Sequence, residues 1–417
     1  MLHAQHVARA MLEADALQAF VTTYAFREDG LFASLLEQIP AKMSERMLRQ
    51  LRRRAIDEIP ARYVYRHPMW EVVRSAAQYV GADPAVVDTV WDYSSRSFDR
   101  SVAQRYTAHA DAIQCFEYTA LASLQRAKDK GAAAILHIPS LDSAQFREIE
   151  RRERSEWKEL VGDRDRYFDR KFLQRYERRQ REIGLADVIV ANSSLTARSH
   201  IAAGVDPTKT FVAVLGAPPT IAEIKIHSQA KRQPLNVLYA GQFSLGKGAH
   251  YLLRAWQSLN AGSAAVLNVY GRVELPGRIA GLAGEGIVFH GSVPRDVLFR
   301  AYEAADALVF PTLSDGFGSV VAEALAQGLP VVATDQAGAA DLLTPDCGFV
   351  VPAADAGALV DALRWCLDNR ERLQDMRPKA LDAARRRQWS DFRRDLVTVL
   401  DIGLRAKGYN PNFRRAG

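Results

Sequence analysis

Asp315 and Glu323 lie eight residues apart in the stretch SDGFGSVVAEALAQGLPVVATD, with Gly316 and Gly318 in the turn between them. The letters around them read as a buried strand (DALVFPT), a loop (LSDGFG), a helix (SVVAEALAQ) capped by Gly328, and the next strand (LPVVAT). In open α/β sheets, ligands bind at the C-terminal ends of the strands. Gly316 and Gly318 let backbone approach a ligand closely, and the helix start behind them offers N–H groups to an anion. Glu323, two turns into that helix, is placed to accept hydrogen bonds from hydroxyl groups, and Asp315 sits nearer a reacting centre. An anion joined to a polyol, a nucleotide sugar, suits this set. An ordinary strand–turn–helix with incidental acids fits the same letters.

A second stretch, LYAGQFSLGKGAHYLLRAW, is a strand, a glycine-punctuated loop and an amphipathic helix, with Lys247 between Gly246 and Gly248 at the helix start. A lysine held there supplies charge to a diphosphate. The spacing is not that of a Walker loop, and a solvated loop lysine is the plainer reading of the residue taken alone.

Strands and helices must position these groups, and two regions alternate in the manner of parallel α/β sheets. The first runs to about residue 218 and includes DAIQCF, AAAILHI, ADVIVANS and TFVAVLG. The second begins at LNVLYAG and continues through AVLNVYG, GIVFHGSV, DALVFPT and LPVVAT. Residues 217–234 are proline-rich and polar, which places an interdomain linker there. The chain opens almost at a helix, HAQHVARAML, where a doubly wound sheet opens with a strand, so the first strand is expected to be missing or to lie upstream. Residues 148–182 mix both charge signs densely and read as exposed helix held partly by pairs one turn apart. Within them Asp163-Arg164-Asp165 has the spacing of a metal-holding pair, but it sits amid solvated charge with no strand before it.

At 417 residues, 48% hydrophobic and 25% charged, the chain is long enough for two globular domains. A net charge of +6 suits phosphate-bearing partners or an anionic membrane without choosing between them. The three cysteines, Cys115, Cys347 and Cys366, are far apart and argue against a zinc ribbon or a disulfide scaffold. No apolar run approaches the ~18 residues of a membrane span, and the N-terminal letters lack a signal peptide's layout. Asn192-Ser193-Ser194 is a glycosylation sequon by letter only. In the stretch AKMSERMLRQLRRRAID, Met43, Met47, Leu48, Leu51 and Ala55 share one helical arc, with Lys42, Arg46, Arg49, Arg52 and Arg53 opposite. Such a helix can lie on anionic lipid or pack on a core. No nucleic-acid motif is present, so no nucleic-acid partner is expected.

Taken in order, AGQFSLGKG, VFHGSV, DGFGSVVAE and GLPVVAT resemble the C-terminal-domain pattern of the retaining glycosyltransferases of family four. Residues 186–216 resemble the last strand–helix–strand of that family's N-terminal domain, and QWSDF resembles the start of its returning C-terminal helix. The resemblance covers roughly residues 186–392. It implies a GT-B fold, α/β, with two Rossmann-like domains facing each other across a cleft. The expected divisions are 1–218 for an acceptor domain, 219–387 for a nucleotide-sugar domain, and 388–417 for a helix crossing back.

The implied activity is transfer of a hexosyl-type sugar from a nucleotide-diphosphate donor with retention of configuration, in surface polysaccharide or glycolipid synthesis. A binding-only or truncated member of the fold and a sugar-nucleotide epimerase are the alternatives. The resemblance makes Asp315 and His137 the catalytic candidates, His137 falling just past a strand end and facing the donor sugar. Gln242, Lys247, Gly316, Phe317, Gly318 and Glu323 become the donor-binding candidates, with Lys247 on the diphosphate and Glu323 on the ribose. Two positions depart from the family pattern: Asp315 stands where Glu is usual, and Gln242 replaces an arginine, for which Arg272 is the cation at hand. No metal and no cofactor are expected. The partners are the donor, a glycan or lipid-linked acceptor, and a membrane surface touched through residues 42–56. The location is cytoplasmic or peripheral on the inner membrane face. His3 and His6 are left without a role.

Overall fold

The computed structural model describes residues 2–23, 56, 58–69, 73–74, 77, 81–157, 163–223, 233–275 and 284–414. The basic stretch 42–56 lies outside them except for Ile56, as do the side chains of Asp163 and Asp165. The chain forms two compact units, Met1–His137 with Arg166–Ile189 and Arg393–Gly417, and Ile138–Asp165 with Val190–Phe392.

In chain order the first half comprises α1 (Leu2–Glu13), β1 (Phe20–Thr22), β2 (Val64–Arg66), α2 (Pro84–Arg105), β3 (Ala112–Phe116), α3 (Leu121–Lys130) and β4 (Ala133–Ile138). Then come α4 (Ser143–Glu156), α5 (Asp163–Leu185), β5 (Val188–Ala191), α6 (Ser194–Ala202) and β6 (Thr210–Val212). Leu2 already belongs to α1, which turns Val7, Ala8, Ala10 and Met11 inward. β1 and β2 form a two-stranded sheet, and the four-stranded sheet has the order β3-β4-β5-β6. β3 and β4 are parallel, in register from Ala112 opposite Ala133 to Phe116 opposite His137.

Local chemistry sets these elements. Asp83 accepts the Ala85 N–H at 2.7 Å and Pro84 occupies the first turn, so α2 starts there. β4 is buried along its whole length, His137 included, as its otherwise apolar letters lead one to expect of an inner parallel strand. The mixed-charge stretch is helical in α4 and α5, and it does contain pairs one turn apart, such as Arg151 with Glu148 at 2.7 Å. Within α5, Arg178 pairs with Glu182 one turn on, and two further pairs reach α2: Arg175 to Asp88 at 2.6 Å and Arg178 to Asp99 at 2.7 Å.

The second half comprises β7 (Leu235–Ala240), α7 (Ala249–Leu259), β8 (Ala265–Tyr270), β9 (Ile287–Gly291), α8 (Arg295–Ala304), β10 (Ala307–Phe310) and α9 (Ser319–Ala326). It ends with β11 (Val331–Thr334), β12 (Gly348–Val351), α10 (Ala356–Asp368), α11 (Arg370–Arg385) and α12 (Trp389–Ala406). The six strands are all parallel, in the order β12-β11-β10-β7-β8-β9. Tyr239, Phe243, Leu252, Trp256, Leu267, Val309 and Leu363 are among the residues filling the core between sheet and helices. Burial of each large apolar side chain contributes about 1.5–3 kcal/mol. The order reverses between β7 and β10, one neighbour continuing to β8 and the other to β11. That reversal opens a crevice at the strands' C-terminal ends, where open α/β sheets hold ligands.

Candidate functional site

The loops after β7 and β10 meet at this reversal. Lys247 follows β7 on a single 3-10 turn, Leu245–Lys247, and Asp315 follows β10. Lys247 Nζ lies 2.5 Å from Asp315 Oδ2, with both side chains about a quarter exposed. The same ammonium sits 5.9 Å from the centre of the Phe310 ring. Asp315 Oδ1 accepts the Phe317 N–H at 3.1 Å, so this carboxylate fixes both the lysine and its own turn. The backbone of the turn is tied to the next loop: the Asp315 N–H donates to the Gln336 carbonyl and the Gly338 N–H to the Asp315 carbonyl.

Gly316 and Gly318 do more for packing than sequence reasoning allowed. The Cβ side of Gly316 faces the Pro139 carbonyl oxygen, 2.2 Å from where a Cβ would stand. Gly318 has φ +83°, caps α9, and would place a Cβ 2.8 Å from the Phe310 ring. The space freed by the missing side chains is filled by protein, while the α9 start keeps N–H groups with no intrahelical partner. Phe317 between them is buried.

Glu323 lies on α9 with a side chain one-fifth exposed. Tyr302 donates its hydroxyl to Glu323 Oε2 at 3.3 Å, and Arg295 Nη2 lies 3.7 Å from Oε1. Burial raises the carboxyl above its ordinary value, and the arginine and tyrosine offset this only in part. Gln242 is held by its backbone, whose carbonyl accepts from the buried Tyr239 hydroxyl at 2.6 Å. Its side-chain amide donates to Glu274 at 3.4 Å, and the exposed Arg272 pairs with the same carboxylate.

His137 is the fifth residue of β4, inside the strand rather than past its end. Wholly buried, it stacks on Phe116 with ring centroids 5.0 Å apart. Its Nε2 and Gln114 Oε1 are 3.0 Å apart, and the His3 ring meets it edge-on at 5.8 Å. Burial lowers its pKa to about 3, so the ring is neutral near pH 7.

The structure thus brings Lys247, Asp315, Gly316, Phe317, Gly318 and Glu323 together within one unit, with Gln242 on the β7 loop of that unit. His137 belongs to the other. Sequence reasoning missed the residues that hold the turn. Ser193 Oγ and Thr196 Oγ1 both donate to the Gly316 carbonyl, at 2.5 and 3.1 Å, and Asn192 donates to the Pro139 carbonyl at 2.8 Å. The letters read as an idle sequon are a clamp on the glycine turn. Nothing local in the sequence signals it, because Ser193 and Thr196 lie 123 and 120 residues from Gly316, and Asn192 lies 53 from Pro139.

Residues 234–369 match the family described as glycosyl transferases group 1. Among curated proteins, the chain is 36% identical over 126 residues to the lipopolysaccharide core biosynthesis mannosyltransferase LpsB of Rhizobium meliloti, covering 28% of this chain and 34% of that protein. It is 29% identical over 254 residues to a D-inositol 3-phosphate glycosyltransferase of Corynebacterium urealyticum, covering 53% and 58%. The match thus spans between about a third and three-fifths of these relatives' lengths. Among solved structures, Anabaena Alr3699/HepE in complex with UDP superposes with a TM-score of 0.60 over 96% of both chains, at 15% identity. Sucrose-phosphate synthase from Thermosynechococcus elongatus gives 0.57 over 84% and 82%, at 19% identity. Among the described residues no helix is long and apolar enough to cross a membrane. The fold is that of the GT-B glycosyltransferases, and residues 234–369 are similar to the glycosyl transferases group 1 family.

Proposed function

We propose that the protein transfers a sugar from a nucleotide-diphosphate donor to an acceptor hydroxyl, with retention of configuration. The observation that carries this reading is the Lys247–Asp315 pair at the sheet's strand-order reversal, with Glu323 on the helix that the same turn begins. In the reaction, the bond from the anomeric carbon to the diphosphate breaks while the acceptor oxygen bonds to the same face. The acceptor proton passes to the departing phosphate oxygen. Charge therefore grows on the diphosphate, and a preorganised cation and helix N–H groups aimed there lower the barrier most. Lys247 and the start of α9 take that role, so turnover is expected to proceed without a metal.

Asp315 holds Lys247 in place before the donor arrives, and it orients the donor sugar with the Phe317–Gly318 backbone. Glu323 accepts hydrogen bonds from the ribose hydroxyls. Gln242, which carries no charge, adds at most a hydrogen bond to the diphosphate. His137 is wholly buried and neutral, with Gln114 as its hydrogen-bond partner, so no part in the transfer is proposed for it. The Anabaena structure holds UDP, which makes UDP-sugars the first donors to try. The similarity to a lipopolysaccharide core enzyme favours a glycan or lipid-linked acceptor in surface polysaccharide or glycolipid synthesis.

The test is product analysis by NMR after incubation with labelled donor and candidate glycan acceptors, with and without a chelator. A glycosidic product of the donor's own anomeric configuration, formed equally with the chelator present, is expected. Release of an epimerised sugar, or an inverted linkage, would overturn the reading.

A further inference from the structure

Arginines converge in the unit that begins with Met1–His137, where no role has been assigned. α2 supplies Arg96, Asp99 and Arg100, α3 supplies Leu121, Ala122 and Gln125, and α5 supplies Arg178 and Arg181 to a cavity of about 340 Å³. That volume lies within the ~300–1,000 Å³ typical of small-molecule sites. α3 begins just after the C-terminal end of β3, the edge at which parallel sheets bind ligands.

Two of the arginines are already committed. Arg178 pairs with Asp99 at 2.7 Å and donates to the Tyr118 carbonyl at 2.9 Å. Arg96 pairs with Asp92 at 3.1 Å. Asp99 is also satisfied by the Ala122 and Ser123 N–H groups, at 2.8 and 3.0 Å, so those amides at the α3 start are not available to a ligand. Arg100 and Arg181 are exposed, and among the described residues neither has a carboxylate within ion-pair distance. Arg100 and Arg181 thus add two guanidinium charges beside a floor where Arg96 pairs with Asp92 and Arg178 with both Asp99 and Glu182. A phosphate monoester carries about −1.5 to −2 at neutral pH and accepts guanidinium donors in pairs. Leu121 and Ala122 give the wall against which an attached carbon skeleton can lie.

We infer that this cavity binds a phosphate group carried by the acceptor, whether a soluble phosphorylated polyol or the headgroup of a lipid. The acceptor assignment rests on the transferase reading; the anion site stands on the cavity itself.

The experiment titrates glycerol 3-phosphate calorimetrically into the full chain and into three variants: Arg100→Gln/Arg181→Gln, Lys247→Ala, and Arg385→Gln/Arg386→Gln. Co-sedimentation with phosphatidylcholine vesicles, with and without phosphatidic acid, is run on the same proteins, as is UDP-sugar binding. Saturable binding is expected in the wild type, weakened about tenfold for each guanidinium removed and unchanged in the other two variants. If only the phosphatidic acid vesicles reveal that difference, the phosphate belongs to a lipid. Equal binding by the wild type and Arg100→Gln/Arg181→Gln with both probes would overturn the site. So would an equal loss in Arg385→Gln/Arg386→Gln, which removes the same charge elsewhere, or a loss confined to Lys247→Ala. Failure of UDP-sugar binding in the wild type would count against the transferase reading and leave the phosphate result to decide the cavity.

Discussion

At the scale of single residues, the proposed ribose-binding role of Glu323 makes donor affinity depend on pH. Burial holds its carboxyl above the ordinary 4.5, with the Tyr302 hydroxyl and Arg295 as its polar partners. Only the ionised form accepts from both ribose hydroxyls with both oxygens. A raised pKa means that the proton is taken up sooner on acidification, so donor affinity should fall at a pH above 4.5. Glu323→Gln keeps one acceptor oxygen and should bind more weakly, with no such fall. Calorimetric affinities measured across roughly pH 5 to 8 check this; parallel curves for the two proteins would refute it. Asp315 and Glu323 were legible as candidates because their types and spacing share one turn and one helix, and Lys247 because two glycines flank it at a helix start. The Ser193 and Thr196 clamp, Tyr302 and Arg295 were not, since each reaches the site from a distant part of the chain. His137 was legible as a position but not as a neutral ring stacked within β4, which only its buried surroundings determine.

At the scale of elements, α11 is tied to the end of α8 by a buried cation. Arg377 Nη1 donates to the Ala305 carbonyl at 2.8 Å and Nη2 to the Glu303 carbonyl at 3.1 Å, satisfying acceptors that a helix end leaves open. Arg377→Met should fill much the same volume and leave both carbonyls without this donor, costing about 1–3 kcal/mol. Chemical denaturation of the purified protein measures it. A variant as stable as the wild type would mean that packing, not hydrogen bonding, joins the helices. The alternation of strand and helix from β7 to β11 was readable because most of these parallel strands appear as short apolar runs, whereas β12 was not picked out. The order of those strands was not readable, and it is the order that places Lys247 beside Asp315. The charges of α5 misled in a related way: their pairing across to α2 depends on which helix lies alongside, so only pairs one turn apart could be foreseen.

At the scale of the whole molecule, the GT-B fold was legible from the motifs of residues 186–392, which keep their order and separation. Residues before them carry few local signals, and there the arginine-lined cavity arises from three helices brought together only by folding. The loops after β7 and β10 are proposed to form a working donor site. The measurement that tests it most directly is calorimetric titration of UDP-, GDP- and ADP-sugars into the wild type, Glu323→Ala and Lys247→Ala. Saturable binding of one base class to the wild type is predicted, weakened at least about tenfold in each variant. A well-folded wild type that binds none of the three, or variants that bind as tightly as the wild type, would contradict it.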